Sequence, residues 1–143
     1  MAEAILRHLG GARVRAASAG EGGAFQELHP LALECLRAHQ VPTAGLHNKI
    51  WGEFFGISRP TVRVLITLGE VYASKAAWPP GTLLVGWPIL DPALGPVDRD
   101  IDLRVAFEEC YERLYLRIQD LLAHLHELDS AGNKPSSPEA DRV

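Results

Sequence analysis

Cysteine is scarce in this sequence, with only Cys35 and Cys110 among 143 residues. Two thiols are too few for a disulfide framework, and they lack the spacing of metal ligands, so we expect two reduced, largely buried side chains. The six histidines also lack a recognised metal-ligand spacing. The sequence therefore indicates no metal and no other cofactor.

A surplus of positive charge is missing too, as is any long apolar run. The net charge of −4 argues against nucleic acid or an anionic membrane surface as a partner. No apolar stretch approaches the roughly 20 residues of a bilayer span. The first residues, MAEAILRHLGG, lack the pattern of a secretory signal. We therefore expect a cytoplasmic location.

What the sequence does contain is an alternation of helix and strand patterns. Its hydrophobic content of 47% and its length suit one globular domain. The strand patterns are Val14–Ser18, Val62–Leu68 and Thr82–Trp87, and the helix patterns are 2–9, 30–39, 49–55 and a long one that begins at Leu103. Strands that alternate with helices predict an α/β domain with a mostly parallel sheet.

The long C-terminal helix has the clearest pattern. Its apolar residues recur in steps of three and four, which is one stripe of an amphipathic helix, and they are Leu103, Phe107, Cys110, Leu114, Ile118, Leu121 and Leu125. From Asp129 onward the composition changes to Ser, Pro, Gly, Asn and charged residues. We therefore expect a domain over residues 1–128 and a disordered tail over 129–143.

A series of segments occurs in an order that resembles a known family. They are MAEAILRHLGG, the SAG of residues 18–20, HPLALECL, GLHNKIWGEFF, VRVLITL and VGWPILDPA. From Met1 to about Leu125, the chain resembles the low-molecular-weight tyrosine phosphatase and arsenate reductase family. The resemblance implies a flavodoxin-like, three-layer α/β/α fold with sheet order 2-1-3-4. It further implies that the central first strand, and the Cys-x5-Arg-Ser/Thr loop that precedes MAEA, are absent from this chain.

The resemblance also implies roles for four residues. Asp91, in the Leu-Asp-Pro-Ala stretch, matches the family's general acid, although an Asp-Pro pair can equally begin a turn. Glu3, Ser18 and Lys49 match a cation site beneath the catalytic loop. The ammonium group of Lys49 would then replace the potassium ion of other members. The alternative is that Glu3 and Lys49 are unrelated surface charges.

The chain departs from the thioredoxin-coupled reductases at their two resolving cysteines. The matching stretch runs from Leu68 to Pro79 and contains no cysteine. Cys35 falls within a helix pattern and Cys110 on the buried stripe, so neither fits the nucleophile. We therefore expect an incomplete catalytic apparatus and no internal cysteine relay.

Two functions remain open at this stage. In the first, the gene begins upstream of Met1, and the whole protein is a phosphatase, or an arsenate reductase that uses an external thiol, with phosphate or arsenate as its partner. In the second, the chain is a non-catalytic interaction or regulatory relative that forms a homodimer. A partner would then pair with the strand edges that the lost strand leaves open.

Overall fold

The computed structural model describes residues 1–20, 27–54, 61–69, 81–94 and 102–132. Three α-helices and two strands form its framework: α1 (Ala2–Gly10), α2 (Pro30–Ala38), β1 (Val64–Leu68), β2 (Leu83–Trp87) and α3 (Leu103–Gly132). Short 3₁₀ helices occur at Gly11–Arg13, Trp51–Phe54 and Pro92–Leu94.

The two strands confirm a mixed α/β chain with a parallel sheet. β1 and β2 are neighbours, and their register runs from Val64 opposite Leu83 to Leu68 opposite Trp87. Both lie within the predicted patterns, each beginning one or two residues later. Trp87 and Ile89 carry the end of β2 into the core, where they are 5% exposed.

The predicted strand Val14–Ser18 was wrong. Within the described residues this segment forms no ladder, and only Gly20 pairs, through one isolated bridge to Ile50. The amide of Ser18 donates instead to the carboxylate of Glu3, at 2.8 Å. A strand needs a neighbouring backbone to accept its amide hydrogen bonds, and here a side chain satisfies one of them.

The helices α1 and α2 confirm their predicted positions. α1 ends at Gly10, and Gly11 follows with a φ of 55°, a conformation that glycine adopts without steric cost. α2 begins with Pro30 at its first position, and the ring of His29 accepts a hydrogen bond from the Leu31 amide at 3.2 Å. Both predictions were correct because glycine and proline act directly on the conformation of the local backbone.

The core lies where α3 packs against α1 and α2. The central part of the predicted stripe is buried, while Leu103 at its beginning is exposed; the buried side chains of α3 include Phe107, Cys110, Leu114 and Ile118. Ile5 of α1 and Leu36 of α2 are at most 1% exposed. No helix of the described chain combines the length and the apolar character that a membrane span requires.

Two helix boundaries differ from the prediction. α3 continues to Gly132, so the first residues of the predicted tail are helical, and Asp129 pairs with Arg63 at 3.2 Å. The helix expected over residues 49–55 is shorter and of the 3₁₀ type, Trp51–Phe54. Glu53 accepts a hydrogen bond from the Ile50 amide at 3.2 Å, which caps that short turn. Residues 133–143 lie outside the described residues.

Candidate functional site

The three residues matched to the family's cation site lie together. Glu3, in the first turn of α1, accepts hydrogen bonds on Oε2 from the Ser18 amide at 2.8 Å and from the Ser18 hydroxyl at 2.5 Å. Lys49 Nζ donates to the same oxygen at 3.2 Å. Residues separated by 15 and 46 positions thus converge on one carboxylate oxygen.

This cluster is buried, which is uncommon for charged side chains. Glu3 is 5% exposed and Lys49 is 8% exposed. Lys49 Nζ also donates to the His47 carbonyl at 2.8 Å, which anchors the ammonium group. Arg7 lies 2.5 Å from the second oxygen of Glu3 as an ion pair, without the alignment of a hydrogen bond. The alternative that Glu3 and Lys49 are unrelated surface charges is wrong.

The electrostatics favour an ionised carboxylate at Glu3. Burial acts to raise the pKa of Glu3, but the hydrogen bonds from Ser18 and Lys49, together with the charges of Lys49 and Arg7, outweigh it, so the pKa of Glu3 lies below its ordinary value. An ammonium and a carboxylate in contact carry no net charge between them. The arrangement ties α1 to the segment before Gly20 and to the segment at Lys49.

Asp91 lines a cleft together with Glu3 and Ser18, two of the three residues of this cluster. It follows the end of β2 by four residues, and its Oδ1 accepts a hydrogen bond from the Ala93 amide at 2.9 Å. It therefore does begin a turn, Pro92–Leu94. The cleft has a volume of about 470 Å³, and its lining includes Met1, Glu3, Ser18, His29, Asp91 and Phe107. Turn formation and a position facing the cleft are compatible, because one carboxylate has two oxygens.

Neither cysteine has the character of a nucleophile. Burial, and then the nearby carboxylate of Glu108, raise the pKa of Cys35 to about 12. Burial also raises the pKa of Cys110 above its ordinary value. The thiolate is the nucleophilic form of cysteine, so the raised pKa values argue against either side chain as the nucleophile. These are the two cysteines of the chain.

A second cluster was missed by the sequence analysis. One donor atom from each of Cys35, His39 and Glu108 lies within 4.8 Å of the other two. Cys35 and His39 are four residues apart, a spacing that places two side chains on one face of a helix. That spacing was the available signal. Glu108 comes from α3, and its proximity is a result of tertiary packing.

The stretch matched to the resolving cysteines falls largely outside the described residues, which resume at Gly81 after Gly69. A scan against protein-family models finds no match for this chain. A search of curated proteins likewise finds no match.

Proposed function

We propose that this chain is the scaffold of an oxyanion-handling protein related to the low-molecular-weight phosphatases and arsenate reductases, with their flavodoxin-like three-layer arrangement. One observation carries the proposal: Asp91 shares a cleft with Glu3 and Ser18, and Met1, the N-cap of α1, lines the same cleft. In open parallel sheets, ligands bind beyond the carboxyl ends of the strands, and Asp91 follows the carboxyl end of β2.

The proposed chemistry gives Asp91 the role of general acid. A thiolate would attack the phosphorus or arsenic atom, and a sulfur bond to that atom would form as its bond to the leaving oxygen breaks. The carboxyl group of Asp91 would give its proton to that oxygen. Cys35 and Cys110 do not supply the thiolate, because both are buried and protonated. The chain alone is therefore expected to be inactive.

A fusion tests this role. A strand and a Cys-x5-Arg-Ser loop of the family pattern would be joined ahead of Met1, and turnover of phenyl phosphate and of arsenate with a thiol reductant would be measured. The unfused chain should not exceed a buffer blank. The fusion should exceed it, and replacing the loop cysteine with serine should abolish the gain. A folded fusion with no turnover would contradict the proposal.

Two substrates with different leaving groups then test whether Asp91 is the general acid. Asp91→Asn in the fusion should slow phenyl phosphate hydrolysis by about 10²-fold or more, the contribution of general acid catalysis. It should slow p-nitrophenyl phosphate hydrolysis much less, because p-nitrophenolate leaves without a proton. Glu109→Gln, an exposed carboxylate of α3, provides the matched control and should change neither rate. Equal losses on both substrates would exclude Asp91 as the acid.

A second candidate function is non-catalytic self-association, favoured by the incomplete covering of the sheet. Parallel strands are normally buried on both faces. Here Leu68 is 39% exposed and Leu83 is 50% exposed, and most other residues of β1 and β2 are only half-buried. A second copy of this chain could cover these strands. Sedimentation equilibrium should then detect a dimer, and a well-folded monomer would exclude this function. The cytoplasm remains the proposed compartment for either candidate.

A further inference from the structure

We propose that Cys35, His39 and Glu108 form a binding site for a divalent transition-metal ion, with Zn²⁺ as the best match. The proposal rests on the type and convergence of three donor atoms: a thiol sulfur, an imidazole nitrogen and a carboxylate oxygen, all within 4.8 Å of one another. It is independent of the oxyanion chemistry proposed above.

The three side chains are held in place by two helices. His39 caps α2, and its amide donates to the Cys35 carbonyl at 3.1 Å, so the backbone fixes these two residues one helical turn apart. The ring of Tyr111 stacks on the ring of His39, with a centroid distance of 3.8 Å and an angle of 13°. That stacking limits the rotation of the imidazole. A partly fixed ligand loses less entropy when a metal binds.

The existing hydrogen bonds already direct these atoms toward a common point. The Cys35 thiol donates to Glu108 Oε2 at 3.4 Å, and His39 Nε2 contacts the other oxygen of Glu108. A tetrahedral zinc site, with bonds of about 2.0–2.3 Å, separates its ligand atoms by about 3.5 Å. Small side-chain movements would therefore suffice for coordination.

Charge and donor type favour Zn²⁺ over Mg²⁺ or Ca²⁺. Sulfur and imidazole nitrogen suit zinc, whereas Mg²⁺ and Ca²⁺ prefer oxygen ligands. On binding, the Cys35 thiol would release its proton to solvent, and His39 would bind as the neutral ring. A thiolate and a carboxylate would then neutralise the two positive charges of the ion.

One side of the cluster is buried and the other is open to solvent. Cys35 is 7% exposed, whereas the side chains of His39 and Glu108 are 35% and 43% exposed. An ion could reach the site from the exposed side. Three protein ligands with a fourth position left to water is the arrangement of zinc sites that stay open to further ligands.

Co²⁺ binding to the full chain tests the site, because a cobalt–thiolate bond produces a charge-transfer absorption band in the near ultraviolet. The chain would be treated with a chelator, desalted and titrated with CoCl₂, and Zn²⁺ would then be added as competitor. We expect one Co²⁺ per chain, a thiolate band, and loss of that band as Zn²⁺ displaces Co²⁺. A folded chain without this band would overturn the proposal.

Single substitutions assign the ligands. Cys35→Ser should abolish the thiolate band, while Cys110→Ser, the matched control at the other buried cysteine, should retain it. His39→Ala and Glu108→Ala should weaken Zn²⁺ affinity by more than about 100-fold, because loss of an outer-shell partner alone costs about 10- to 100-fold. Circular dichroism would establish that each variant is folded. A band that survives Cys35→Ser, or disappears with Cys110→Ser, would refute the assignment.

Discussion

Two clusters of three side chains occupy different depths of this molecule. In Glu3–Ser18–Lys49, the carboxylate and the ammonium group are both buried and in contact. In Cys35–His39–Glu108, only the thiol is buried, and the carboxylate and imidazole are partly exposed. The first cluster contains its own cationic group, the ammonium of Lys49, whereas the second combines a thiol, an imidazole and a carboxylate. On the proposal above, depth and internal charge balance distinguish a polar cluster that stabilises the fold from one that can accept a ligand.

Removal of the buried ammonium group should have the largest effect. Lys49→Met leaves the Glu3 carboxylate buried without its buried cationic partner, and breaking a buried pair costs about 3–5 kcal/mol. We expect a loss of this size in the free energy of unfolding, measured by urea denaturation. Arg7→Met is the control, because Arg7 pairs with the same carboxylate but is 41% exposed, and it should cost about 1 kcal/mol or less. Equal losses of unfolding free energy in the two variants would show that burial does not make the Lys49 pair stronger than the Arg7 pair.

Acid should weaken the first cluster next. The pKa of folded Glu3 is lowered, so its contribution to stability is present above the ordinary carboxyl pKa of 4.5 and is lost as the pH falls through the folded pKa. Glu3→Gln should therefore flatten the decrease in unfolding free energy below about pH 4.5. Glu109→Gln, on the exposed face of α3, should leave that decrease unchanged. An unaltered acid dependence in Glu3→Gln would show that other carboxylates cause it.

The second cluster should be much less sensitive when no metal is present. Glu108→Gln keeps an acceptor for the Cys35 thiol and removes an exposed charge, so its cost should be about 1 kcal/mol or less. Urea denaturation in the presence of a chelator would measure it. A loss above about 2 kcal/mol would show that Glu108 stabilises the fold as the buried pair does, and would contradict the proposed difference between the two clusters.

The smallest effect should come from Asp91. Asp91→Asn preserves an oxygen that can accept from the Ala93 amide, so thermal denaturation should show a change within about 0.5 kcal/mol. Asp91→Ala loses that acceptor and should cost about 1 kcal/mol. A large destabilisation by Asp91→Asn would mean that its charge supports the fold as well as the cleft.

Much of the framework could be predicted from local patterns. The apolar stripe of α3, Pro30 at the first position of α2 and the β-branched run of β1 all act through neighbouring residues. The segment Val14–Ser18 has a strand-like composition, but its pairing depends on a backbone elsewhere in the chain. Its failure to form a ladder could not be inferred from its own residues.

The candidate sites also differ in how far the sequence predicted them. The resemblance predicted that Glu3, Ser18 and Lys49 would meet, and they do, although their role as a replacement for a bound cation stays a prediction. Asp91 lines the same cleft as Glu3 and Ser18, and its catalytic role stays a prediction. The metal-type cluster was missed, because no sequence spacing relates Glu108 to Cys35.

The order of the elements, the buried stripe and the four-residue spacing of Cys35 and His39 follow from the sequence alone, since helix and strand periods are properties of the local backbone. The packing of α2 on α3 decided that Glu108 reaches Cys35, and the burial of α1 decided that Lys49 neutralises Glu3. Contacts between distant residues depend on how complete elements pack together, and the close packing of side chains across the whole core determines that arrangement.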